Sequence, residues 1–158
     1  MGDNAEPELS AAEIRDLRDI AGTMIPESPE HGVPGADDPA ILDDIVSSLG
    51  RDLPLVREAV AAITAMSDGV FAGLDCGKRE ALVNDYYTSG GAPAVALGRV
   101  ILAAYYRDDR VLLALGLEAR PPFPKGYALD QGDWSLLDTV RKRTPFWRDD
   151  RTATGGHR

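Results

Sequence analysis

The chain has 158 residues, 44% of them hydrophobic and 27% charged, with a formal net charge of −9. That length is one ordinary domain able to bury a sizeable core, and the acidic balance disfavours nucleic acid, whose binding needs clustered Lys and Arg to displace phosphate counterions. The longest apolar runs, AVAAITAM at 59–66 among them, fall short of the ~18 residues that suggest a membrane span, and a single cysteine, Cys76, excludes an internal disulfide.

The charge is unevenly spread. Residues 1–50 hold twelve acids and two bases, whereas 51–158 hold fourteen acids and fifteen bases. The one basic cluster, Arg141-Lys142-Arg143, is too short to make a nucleic-acid surface. The opening MGDNAEPELSAAE has no basic or apolar leader character, so no export signal is expected and the reading is cytoplasmic.

In chain order, residues 1–8 read as disordered. Ser10 is then an N-cap with Glu13 three positions on, a capping box, and Leu9 is placed to staple to Ile14. Ile14, Leu17, Ala21, Met24 and Ile25 mark the apolar face, and Pro26 stops the helix. PESPEHGVPGADDP (26–39) is a loop by composition. Asp38 caps a second helix with Pro39 at its first position. Its core face is Ile41, Leu42, Ile45, Val46 and Leu49, with Gly50 as the expected C-terminal cap. A third helix runs from about Leu53 to Met66 with Val56, Val60 and Ile63 inward, until Asp68-Gly69 breaks the pattern. Val70, Phe71 and Leu74 form a short apolar link. Asp75 caps a fourth helix carrying Leu82, Val83, Tyr86 and Tyr87, ended by Ser89-Gly90-Gly91. Pro93 opens a fifth, almost wholly apolar helix in which Val95, Leu97, Val100, Ile101, Ala104 and Tyr105 predict a central, covered element. Asp108 or Asp109 caps a last short helix, Val111 to Leu115, stopped by Gly116. No strand alternation is present.

From Gly116 to Arg148 the period is lost. This stretch holds both tryptophans, two of the three phenylalanines and four of the eleven prolines, so it predicts extended chain, broken at most by a short turn at Trp134–Leu137. It is too apolar for a wet linker at about 25 cal/mol per Å². It lies either on the protein's own helices or on a second protein. The expectation is therefore all-α: an orthogonal or irregular bundle of five to six helices over residues 9–116, then a Pro- and aromatic-rich extended tail over 117–148 and a flexible 149–158.

Motifs for chemistry are sparse. His31 and His157 have no second ligand at helical spacing. Cys76 sits where a helix N-terminus depresses a thiol pKa, but a small helix-start residue is its simpler role. Asp37, Asp38, Asp43 and Asp44 read as caps and a solvated face, because the order of a calcium loop is lacking. No G-x-G-x-x-G, P-loop or G-x-S-x-G is found. The pairs Tyr86-Tyr87 and Tyr105-Tyr106 place one ring on the core and its neighbour about 100° round the helix. The chain is expected not to be an enzyme by itself, and no catalytic, cofactor-binding or metal residue is assigned. The candidate partner-binding residues are Tyr127, Asp133, Trp134, Leu136, Leu137, Phe146, Trp147 and Arg148, with Asp133 capping a short turn and the two tryptophans as anchors.

Three stretches carry a family resemblance: LRDIAGTMIPES followed by GVPGADDPAILDDIVSSL, then LDCGKREALVNDYY, then YYRDDRVLLALGLEARPPFPKGY. Together they resemble the gluconate 2-dehydrogenase subunit 3 family, over most of residues 14–127. The resemblance implies a non-catalytic small subunit that helps a large glucose–methanol–choline type flavoprotein to fold, stay soluble or be exported. That partner binds FAD and oxidises an alcohol or sugar hydroxyl. Many members begin with a twin-arginine signal, whereas the first arginine here is Arg15, which favours a cytoplasmic complex. GDWSLLDTVRKRTPFWR extends beyond the matched pattern. The alternative is a free-standing helical interaction or regulatory domain with no redox partner.

Overall fold

The computed structural model describes residues 8–69, 71–121 and 123–144. Its internal contacts divide the chain after Arg120 into two units. Among the described residues the protein is all-α, as the sequence predicts, with no strand beyond an isolated pairing of Ser28 with Val33.

The first helix, α1 (Ala11–Met24), starts as its sequence requires. The Ser10 amide donates to Glu13 Oε2 at 2.7 Å and the Glu13 amide to Ser10 Oγ at 3.3 Å, so two of the amides that a helix start leaves unpaired are satisfied. Leu17, Ile20 and Ala21 are fully buried. Ile20, missing from the predicted face, completes it one turn after Leu17. Pro39 begins α2 (Pro39–Ser47), with Asp38 Oδ1 accepting from the Ala40 amide at 3.0 Å. The expected Gly50 cap is corrected. Ser48 ends α2, its amide donating back to Asp44 and Ile45, and Gly50, at φ 44°, opens a 3-10 turn leading into α3 (Leu53–Met66).

After a second 3-10 turn at Phe71–Gly73, α4 (Cys76–Ser89) starts on Asp75, which accepts from the Lys78 amide at 3.0 Å. The central helix is α5 (Ala92–Tyr105), which packs against both α3 and α2, while α1 packs against α4 and α3. Leu97, Ile101, Val100, Ala104 and Tyr105 are buried as predicted, but Val95 is 67% exposed. The covering of α5 is thus incomplete: Val95, Leu102 and Tyr106, at i, i+7 and i+11, form an exposed stripe. Short α6 (Asp109–Ala114) closes the unit. There the Leu117 amide donates to Leu112 O at 2.9 Å and the Gly116 amide to Leu113 O at 3.0 Å. This double closure needs the left-handed backbone that Gly116 adopts, at φ 73°.

The proline-rich loop is held rather than slack. Ala36 is buried, its amide donates to Ile25 O at 2.9 Å, and Tyr105 Oη reaches Pro34 O at 3.2 Å. Two arginines fasten the last helices to the α2 region. Arg107 Nη2 meets Asp44 Oδ2 at 2.7 Å, and Arg110 forks onto Asp38 at 2.8 and 3.0 Å while also binding Asp108. The Arg110 side chain beside them holds the Asp38 and Asp108 carboxyls below the usual range. Both carboxylates therefore stabilise the fold above the ordinary carboxylate pKa, and that contribution is lost as pH falls through their lowered folded values.

Arg110→Met is accordingly expected to cost about 1 kcal/mol at neutral pH, since the partners are partly solvated, and to lower the thermal midpoint by about 4 °C. Thermal melts of variant and wild type should converge in acid. A gap that stays constant below the carboxylate range contradicts the assignment.

In the second unit, residues 126–133 carry no regular structure. The expected turn at Trp134–Leu137 is present as a 3-10 turn. One feature was not foreseen: the turn runs on into a single turn of α-helix, α7 (Asp138–Arg141).

Candidate docking surface

Asp133 shapes the local structure of the tail. Its Oδ1 accepts from the Ser135 amide at 3.0 Å and from Ser135 Oγ at 2.6 Å. The cap predicted for Asp133 is therefore made, and the Ser135 hydroxyl and amide hold its carboxyl below the usual range. Trp134 Nε1 donates to Gln131 Oε1 at 3.2 Å. These contacts fix the start of the turn without covering the indole, which remains 61% exposed.

The other predicted residues share that condition. Tyr127, Leu136 and Leu137 are exposed, as is every described residue from Pro121 to Thr144. Leu136 is the most exposed of the described apolar residues in the predicted set, at 74%. Phe123, Leu129 and Val140 are also exposed apolar side chains. All three belong to the apolar stretch that the sequence singles out but were not named as contacts. Trp134, Leu136 and Leu137 fall within one turn, with Tyr127 earlier in the chain. Phe146, Trp147 and Arg148 lie outside the described residues.

A depression of about 430 Å³ between the α2 and α6 regions is lined by Asp44, Arg107, Asp108 and Arg110, of which Arg107 pairs with Asp44 and Arg110 with Asp108. Cys76 is exposed, and its Sγ donates to Glu80 Oε1 at 3.4 Å. The neighbouring carboxylate pushes the thiol pKa up rather than down, which outweighs the helix N-terminus considered for it. His31 is exposed in its loop. No group of three or more His, Cys, Asp or Glu side chains among the described residues is arranged to hold a metal ion.

The tyrosine pairs divide between core and surface. Tyr86 is buried and its ring meets that of Tyr87 edge to face at 6.0 Å. Burial pushes the Tyr87 phenol up to about 12, and Gly98 on α5 makes room for it: a Cβ there would stand 3.3 Å from Tyr87 Oη. Tyr105 is buried, whereas Tyr106 is 53% exposed and belongs to the uncovered stripe of α5. That stripe was missed because an all-apolar helix reads as covered on every side. Its i, i+7, i+11 spacing was the available signal.

The chain matches no model of a protein family, no curated protein and no solved structure.

Proposed function

We propose that this chain is a non-catalytic accessory subunit whose tail docks on a larger protein and stabilises it. The observation that carries the reading is the exposure of Trp134, Leu136, Leu137 and Leu129 on one short segment. Apolar side chains standing close together in water mark binding sites, and Trp and Tyr are favoured at interface cores. Ordering a chain segment costs roughly 1–2 kcal/mol per backbone residue. A tail whose prolines narrow its free ensemble, and whose turn is already capped by Asp133, loses less on docking.

The class of partner comes from the sequence resemblance over residues 14–127: a large FAD-dependent oxidoreductase of the glucose–methanol–choline type, acting on an alcohol or sugar hydroxyl. In such a pair the flavin belongs to the large subunit, and this chain supplies binding surface only. Co-expression with that flavoprotein is expected to give a yellow complex containing both chains at fixed stoichiometry. The purified chain alone is expected to be colourless. Flavin absorbance in the isolated, folded chain, or failure of the two to co-purify, overturns the reading and favours a free-standing interaction domain.

A further inference from the structure

Residues 134–141 form one short, fully exposed helical element. Trp134 and Leu137 are three apart in a 3-10 turn, where such positions eclipse each other. Val140 follows three further on in α7, and Leu136 stands four residues before Val140, at the spacing that brings helical side chains together. Ser135, Asp138 and Arg141 repeat the same interval, and Arg141 Nη1 pairs with Asp138 Oδ1 at 3.2 Å. Asp133 closes the N-terminal end. Beyond the last helical residue, Lys142 and Arg143 are exposed and have no ion-pair partner among the described residues.

We infer that this turn is the recognition element of the tail, and that it seats Trp134, Leu137 and Val140 in an apolar groove of the larger subunit whose rim beside Lys142 and Arg143 is acidic. The inference rests on the accessory-subunit reading above. A short element with anchors at regular helical spacing is the form that groove-binding segments take. The charge pattern sets its direction. The net negative charge sits in residues 1–50, with twelve acids and two bases, so an acidic surface is repelled by that part of the chain and attracted by Lys142 and Arg143, and that contrast fixes which way the turn lies. An anionic lipid surface is the poorer fit. Asp133 and Asp138 sit on the same element as the anchors and, with the net charge, oppose approach to negative headgroups.

The test uses the full-length chain and the flavoprotein isolated in the yellow complex. Trp134→Ala is expected to weaken binding about 30-fold, the scale of a buried aromatic anchor. Lys142→Glu with Arg143→Glu is expected to weaken it at least tenfold, with an effect that shrinks as salt is raised. Thr139→Ala, off the anchor positions, should leave binding unchanged. Circular dichroism of each variant should match wild type. If wild type forms no complex, the accessory-subunit reading fails and this inference fails with it. If wild type binds but Trp134→Ala or the charge reversal does not weaken it, or Thr139→Ala weakens it equally, the groove assignment alone is overturned. Binding of the full chain to phosphatidylserine vesicles that Trp134→Ala abolishes, with the flavoprotein complex unaffected, overturns it in favour of lipid.

Discussion

Ile101→Ala is expected to lower the stability of the helical unit by about 3 kcal/mol, the usual cost of deleting a buried isoleucine side chain and leaving a partly collapsed cavity. Ile101 has no exposed surface and lies on α5, the helix that α2 and α3 both pack against. For a unit of this size that loss moves the thermal midpoint down by about 10 °C, a large share of the 5–15 kcal/mol typical of folded domains. Val95→Ala on the same helix is the contrast. Its side chain is 67% exposed, so the change should stay within about 0.5 kcal/mol. Thermal and denaturant unfolding of the two variants measures the difference. Equal losses at the two sites contradict the orientation assigned to α5.

That contrast also marks where the sequence stops being legible. Helix starts were readable because each is encoded locally. Ser10 with Glu13, Asp38 with Pro39, and Asp75 cap the helices they were expected to cap, and of the two candidates Asp108 and Asp109 it is Asp108 that caps the last. A cap needs only its own side chain and the next few amides. Which side of α5 meets solvent depends instead on where α2 and α3 lie, and a helix that is apolar all round does not encode that. The same limit explains Gly50. Ser48 already satisfies the end of α2 through its own amide, and the glycine serves the turn beyond. Asp38 was read as a cap alone, yet it also receives the Arg110 fork from 72 residues away, a pairing that no local pattern announces.

The tail was legible for a different reason. Its prolines and its loss of helical period mark a change in structure after Gly116, and Asp133 beside Trp134 predicts the capped turn that forms. The continuation into α7 was not read, because Asp138–Arg141 is a single turn and carries too few residues to display a period. Apolar residues without a helical face are visible in a sequence. What they touch is not, since a side chain that packs on its own fold and one that packs on a partner have the same composition.

The account stands on the tail holding a partner while the helical unit folds on its own core. The most direct test is the double variant Trp134→Ala with Trp147→Ala, compared with wild type by circular dichroism, by thermal unfolding and by pull-down with the proposed flavoprotein partner. Trp134 supplies the larger exposed aromatic surface among the described tail residues that carry the predicted contacts, and Trp147 is the second anchor expected from the sequence. Removing an interface tryptophan typically costs about 2 kcal/mol or more in binding, so the pair should weaken association about 10³-fold if their effects add. The predicted result is an unchanged helical spectrum, a thermal midpoint within about 2 °C of wild type, and no flavoprotein retained. Unfolding of the isolated chain by the double substitution, or full retention of the flavoprotein, contradicts the account.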